Sequence, residues 1–150
     1  MKNKKMNWDQ YFMAMAKLAS TRSEDPNTQV GACIINERKR VIGLGYNGMP
    51  QGKDSFPWNR DGEDNKYKYV IHAEANAVLN SIKDLTNSTI YVSLFPCNDC
   101  AKIIAQSNVK EVVYESDKYK DHIDTKISKK IFKECGVKTR QVELKELIIK

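Results

Sequence analysis

Four residues in two short segments carry chemistry that composition alone would not supply: His72 and Glu74 in His72-Ala73-Glu74, and Cys97 and Cys100 in Pro96-Cys97-Asn98-Asp99-Cys100. An imidazole and two thiolates are zinc ligands, and three protein ligands leave one tetrahedral position open to water. A carboxylate two residues from the histidine can approach that water without binding the metal, and so can move its protons. A fourth Cys or His would close the site and make it structural, but Cys33, Cys135 and His122 are not spaced to provide one. Taken alone, a Cys-x-x-Cys is more often half of a structural zinc site or a redox pair, and a His-x-Glu means little. Their conjunction in this order is specific. The parts support hydrolysis at an amidine-like ring carbon, with Glu74 carrying protons from water to a ring nitrogen and then to departing ammonia.

These residues need elements that bring them together. Apolar residues Trp8, Tyr11, Phe12, Met15, Leu18 and Ala19 recur at helical spacing and predict a helix from Trp8 to Thr21. Pro26 and Asn27 break the chain. Val30–Ile35 and Val41–Tyr46 read as strands joined by a polar turn at Asn36–Arg40. Asn47–Lys68 reads as a long loop, and its Phe56 and Trp58 imply that it covers something or meets a neighbouring subunit. Helices are then expected at His72–Ile82, Cys97–Gln106 and Ile123–Cys135, the last ended by Gly136. Strands are expected at Thr89–Leu94, Val109–Tyr114 and Val137–Val142. This alternation predicts parallel pairing in the second half of the sheet, after an antiparallel opening hairpin. His72 and Cys97 then open two helices at the same sheet edge, where one nitrogen and two sulfurs can converge.

The 150 residues suffice for one domain, 1–150, with a core over about residues 8–143 between short basic tails. Hydrophobic residues make up 41% and charged residues 29%, the balance of an ordinary globular chain. No apolar run approaches the roughly 20 residues a membrane helix needs, and Met1–Met6 is not followed by a signal-peptide core, so a cytoplasmic protein is the expectation. The four cysteines fit that setting as a metal pair plus two buried thiols, Cys33 and Cys135. The net charge is +6, and Lys118–Lys150 holds ten Lys/Arg against five Asp/Glu. That excess reads first as a solvated helix face, and otherwise as an attraction for an anionic ligand.

The His-x-Glu…Pro-Cys-x-x-Cys order is the established signature of zinc nucleobase deaminases. Further segments narrow the likeness. Asp25-Pro26-Asn27-Thr28-Gln29-Val30-Gly31-Ala32, Gly45-Tyr46-Asn47-Gly48-Met49-Pro50-x-Gly52, Asn76-Ala77, Leu94-Phe95-Pro96-Cys97-Asn98-Asp99-Cys100-Ala101-Lys102 and Ser116-Asp117-Lys118-Tyr119 resemble the deoxycytidylate (dCMP) deaminase family from about Tyr11 to Val142. The resemblance implies an α/β, cytidine-deaminase-like three-layer fold, a five-stranded mixed sheet flanked by helices. It implies one catalytic Zn2+ per subunit on His72, Cys97 and Cys100, with Glu74 as the proton carrier, and hydrolysis of dCMP to dUMP and ammonia, supplying thymidylate synthesis. Asn47 would bind the sugar 3′-hydroxyl. Ala73, Arg22, Tyr119, Lys118 and Lys120 are the other candidate substrate contacts, the basic ones and Tyr119 for the 5′-phosphate.

The resemblance also implies a homo-oligomer, a hexamer in family members of this type, activated by dCTP and inhibited by dTTP, with Mg2+ accompanying a triphosphate effector. The candidate effector residues are Asn47, Gly48, Met49, Pro50, Gly52 and Asp54. Competing readings are a dual dCMP/dCTP deaminase, a polynucleotide deaminase acting on tRNA adenosine or single-stranded DNA cytidine, and a nucleotide-sensing scaffold without activity. Phe12, Tyr69 and Tyr91 fall at core-like positions rather than forming the aromatic platform a polynucleotide needs, so no nucleic-acid partner is expected.

Overall fold

The computed structural model describes residues 4–146. Helix α1 (Trp8–Ser20) leads to strands β1 (Gly31–Ile35) and β2 (Val41–Tyr46), followed by α2 (Ala73–Leu79), β3 (Thr89–Leu94), α3 (Asn98–Gln106), β4 (Glu111–Ser116), α4 (Ile123–Glu134) and β5 (Lys138–Gln141). The five strands form one sheet in the order β2-β1-β3-β4-β5. β1 pairs antiparallel with β2 and with β3, whereas β3–β4 and β4–β5 are parallel. The mixed sheet, the opening hairpin and the parallel second half are therefore as the sequence implied.

Two apolar layers cover the sheet. Phe12, Met13 and Ala16 of α1 pack on Cys33, Ile35, Tyr91 and Val113. The larger core lies on the other face, where Ala77 of α2, Ala101 and Ile104 of α3 and Phe132 of α4 meet Ile34, Ile90, Val92 and Val112. Alternate residues of β1 and β3 feed opposite layers, as a two-residue strand period requires. Among the described residues, no helix is long and apolar enough to cross a membrane.

Several expectations shift. The buried stripe of α1 runs through Phe12, Met13, Ala16 and Ala19, while Trp8, Tyr11 and Leu18 are exposed. The cause is the close approach of α1 to β1: a Cβ at Gly31 would collide with the carbonyl of Ala16, so small residues must line the contact. Helix α2 stops at Leu79 rather than Ile82, because the side chain of Asn80 donates to the carbonyl of Leu44 (3.1 Å) and pins the helix end to β2. β4 begins at Glu111, two residues later than expected, after Asn108 turns the chain at φ +64°. Gly136 ends α4 at φ +70°, the left-handed position foreseen for it. Cys135 caps that helix and is exposed, not buried. Cys33 is buried, and burial pushes its thiol up to about 12. Tyr69 is only half-buried and stacks on Phe56 of the long loop (5.0 Å), whereas Phe12 and Tyr91 lie in the core.

Gly45 decides where α2 begins. A Cβ there would meet the backbone nitrogen of Ala77 and, at 2.6 Å, the carbonyl oxygen of Ala73, so β2 and the first turn of α2 touch backbone to backbone. Neither obstacle is a flexible side chain. Gly45→Ala should cost about 1–3 kcal/mol in chemical denaturation. It should also weaken zinc retention, because it lifts the helix start that carries His72 and Glu74.

Candidate active site

β2 and β3 run in the same direction because each is antiparallel to the β1 strand between them. β4 is parallel to β3. The chain therefore leaves β2, β3 and β4 at one end of the sheet, where α/β proteins place their ligands. Residues following each of the three strands line one cavity of about 360 Å³: Asn47 after β2, Phe95 and Cys97 after β3, and Tyr119 and His122 after β4. That volume is within the range of small-molecule sites.

The metal-ligating cluster sits in its floor. His72 and Cys97 are the N-cap residues of α2 and α3, both extended (ψ 156° and 171°), and neither side chain caps its own helix. They stand one position outside the helices they were expected to open. An N-cap side chain leaves the end of the helix instead of lying along it, so it is free to reach a shared point. Cys100 follows Cys97 at the third helical position, on the same side of the first turn. The Nδ1 atom of His72 lies 3.4 Å from each sulfur. With Zn–S near 2.3 Å and Zn–N near 2.0–2.1 Å, a tetrahedral ion sets its nitrogen and sulfur ligands about 3.6 Å apart. The three groups thus fit zinc, and the four cysteines are all free thiols.

The clustered groups shift one another's proton affinities. The thiol of Cys100, hydrogen-bonded to Cys97, outweighs burial together with His72 and holds the Cys97 thiol down to about 4. The same bond, with burial, pushes the Cys100 thiol up. The hydrogen bond with Cys97, helped by the charges of Cys97, Glu74 and Asp99, overcomes burial and raises His72 to about 8. Glu74, in the first turn of α2, lines the cavity while being almost wholly buried. Desolvation pushes its carboxyl up to about 7, against the opposing charge of His72. A carboxyl poised there exchanges protons readily in both directions at neutral pH.

The cavity wall holds residues that the sequence alone did not single out. Asp25 and Lys66 form a buried ion pair (2.7 Å) on it, both under a tenth exposed. Burial would raise the Asp25 carboxyl, but the bonds from Lys66 and from the backbone N–H groups of Asn27 and Thr28 outweigh it and hold the pKa below the usual value. Lys66 stands in Asn65-Lys66-Tyr67-Lys68, a run that reads as solvated charge, and its partner is 41 positions away. Ala73 is fully buried and lines the cavity beside Glu74. Asn47 is buried, its amide oxygen accepting from the Val30 N–H (2.8 Å) and its amide nitrogen donating to the Thr28 carbonyl (2.9 Å).

Of the phosphate candidates, Tyr119 lines this cavity and is half-exposed, with the exposed Lys118 over its ring at 5.1 Å. Lys120 is exposed in the same turn and is not part of the cavity wall. Arg22 lies elsewhere. It lines a second cavity of about 310 Å³ together with Gly48, Met49, Gly52, Lys53 and Trp58. Three of the effector candidates, Gly48, Met49 and Gly52, are thus brought to the second cavity, while Asn47 belongs to the first. Pro50 opens a short 3₁₀ turn and Asp54 is exposed beyond it.

Residues 6–116 match the family described as cytidine and deoxycytidylate deaminase zinc-binding region. The chain is 49% identical to the deoxycytidylate deaminase of Mus musculus and 48% identical to that of Homo sapiens, in each case over 91% of this chain and 80% of the relative. Among solved structures, it is similar to the dCMP deaminase of cyanophage S-TIM5 in complex with dCMP and dUMP (TM-score 0.77, 28% identity, 93% of this chain and all of that one).

Replacing Cys97 or Cys100 by Ser should weaken zinc binding by more than about 100-fold, beyond the loss expected for an outer-shell partner. It should also lower the melting temperature, since metal binding and folding are coupled. Glu74→Ala should retain one zinc per chain. Atomic emission on dialysed proteins distinguishes the two classes.

Proposed function

The chain belongs to the zinc-binding cytidine and deoxycytidylate deaminases, a family of hydrolases, and from that premise we propose that it converts dCMP and water to dUMP and ammonia. The observation that carries the reading is Glu74, a buried carboxyl in the floor of a nucleotide-sized cavity, beside a His/Cys/Cys cluster that it does not join. The identity of nearly half with relatives named deoxycytidylate deaminase supports this substrate.

The proposed mechanism assigns the work to the chain's own groups. His72, Cys97 and Cys100 would hold the zinc, which would supply the positive charge that makes water acidic near neutral pH. Glu74 takes a proton from the attacking water and gives it to ring nitrogen N3 as the oxygen adds to C4. It then carries the second water proton to the exocyclic amine, the C4–N bond breaks, and ammonia leaves a carbonyl behind. Burial supports this role, because a carboxyl lifted to about 7 is both a competent base and a competent acid. Ala73 walls the base. Asn47 orients the sugar, and Tyr119, with Lys118 and Lys120 in the same turn, lies on the phosphate side. Arg22 would serve a phosphate only at the second cavity.

A finer reading is a cytoplasmic hexamer, activated by dCTP and inhibited by dTTP with Mg2+ as the triphosphate's counter-ion, that supplies dUMP for thymidylate synthesis. Its effector part rests on the Gly45–Gly52 segment, and the second cavity beside Gly48 and Met49 supports that part.

The test is initial rates of ammonia release by the zinc-loaded protein on dCMP, CMP, dCTP and a cytosine oligonucleotide, with and without dCTP or dTTP. Turnover of dCMP and none of the oligonucleotide is expected. Glu74→Ala should lower kcat by about 10²–10⁴-fold. Absence of dCMP turnover overturns the substrate, and equal turnover by wild type and Glu74→Ala overturns the mechanism.

A further inference from the structure

We propose that Lys66 is a substrate-binding residue, the donor half of a donor–acceptor pair with Asn47 that requires a free sugar hydroxyl. The inference rests on the dCMP reading above.

The hydrogen bonds around Asp25 leave two groups incomplete. Oδ1 of Asp25 accepts from the N–H groups of Asn27 and Thr28. Its Oδ2 accepts from Nζ of Lys66 at 2.7 Å and from Nδ2 of Asn47 at 3.3 Å. The second proton of the Asn47 amide goes to the Thr28 carbonyl. Both its donors are therefore used, and the amide orientation is fixed with Oδ1 toward the Val30 N–H. A carbonyl oxygen has two lone pairs, so one acceptor site on Asn47 remains. An ammonium has three donors, and among the described residues Asp25 is the one hydrogen-bond partner of the Lys66 Nζ. The ring of Tyr67, 5.3 Å away, covers one side of it.

A buried ammonium with unused donors is costly unless something completes it. Lys66 and Asn47 both line the cavity whose floor is the metal-ligating cluster. Their nitrogens bond one and the same carboxylate oxygen, so the Asn47 amide and the Lys66 ammonium are near neighbours. A group that accepts from an ammonium and donates to an amide oxygen is a hydroxyl. A phosphate cannot donate to the amide when ionised, and Asp25 already neutralises the lysine. In dCMP the 2′ position is bare and the 5′ oxygen is esterified, so the 3′-hydroxyl is the single group of this kind. Lys66 and Asn47 together then admit a nucleotide with a free 3′-hydroxyl and reject one whose 3′ oxygen is esterified, as in the interior of a polynucleotide.

The experiment compares kcat/KM for dCMP and 2′,3′-dideoxy-CMP in the wild type, in Lys66→Met, and in Lys66→Met combined with Asp25→Asn, which removes the charge pair as a unit should the single variant not fold. Zinc content and melting temperature establish that each protein is folded. The wild type should favour dCMP by about 10–100-fold, the range of a hydrogen bond to a charged group. In a folded variant that preference should shrink by at least about tenfold, the loss falling on dCMP. A merely structural lysine would lower both substrates by the same factor, and that result overturns the inference, as does a wild type that turns over both equally. Absence of wild-type dCMP turnover overturns the substrate reading and this inference with it. Turnover of dCMP with an unchanged ratio in the variants overturns this inference alone.

Discussion

Two helices must begin within ligand distance of one another, and most of the molecule follows from that requirement. A helix start is a good place for a thiolate, because the first N–H groups and the helix dipole favour negative charge there. Bringing two starts together needs two strands that point the same way and end at the same edge of the sheet. β2 and β3 do so with β1 running antiparallel between them. It also needs α2 to lie close enough on the sheet, which the missing side chain of Gly45 allows. The metal-ligating triangle is thus assembled by secondary structure on a rigid frame.

Charge in the cavity divides into a part that changes and a part that does not. At the floor, Glu74, Cys97, Cys100 and His72 sit close enough to shift one another's pKa values, and burial of Glu74 brings its proton near balance at neutral pH. On the wall, Asp25 and Lys66 cancel each other in a buried pair with Asp25 held firmly ionised. Such a pair adds little net stability, yet removing one partner of a buried pair typically costs about 3–5 kcal/mol. Its position on the cavity wall, locked to the Asn47 amide, fits orientation better than stability as its use.

The His72/Cys97/Cys100 cluster and Glu74 beside it were legible in the sequence because residue type and spacing fix them: Cys97 and Cys100 share a helical turn whatever the details, and His72 and Glu74 are two apart. The strand order's mixed character was legible from the change between hairpin and alternating patterns. Tertiary partners were not. Asp25 appears only within the Asp25–Ala32 segment that carries the family resemblance, and nothing in the sequence ties it to Lys66, which lies among exposed lysines and tyrosines. Arg22 read as a phosphate ligand, yet the turn after α1 carries it to the second cavity. On α1, bulk does not mark the inward face. Contact with the backbone at Gly31 instead selects Ala16 and puts Trp8 and Leu18 outside.

The long segment between β2 and α2 shows why Lys66 matters beyond its own contacts. An excursion of this length needs internal ties to hold one conformation. Gly48 and Ile71 close its base by two backbone bonds, 3.0 and 2.8 Å. The Lys66 N–H donates to the Asn59 carbonyl (2.9 Å), and Phe56 stacks on Tyr69. These ties lie within the segment itself. The ion pair of Lys66 with Asp25 anchors it to the body of the domain. The segment supplies Arg60, Lys66 and Tyr67 to the first cavity and Met49, Gly52 and Trp58 to the second. One buried lysine therefore anchors a segment that supplies residues to both cavities.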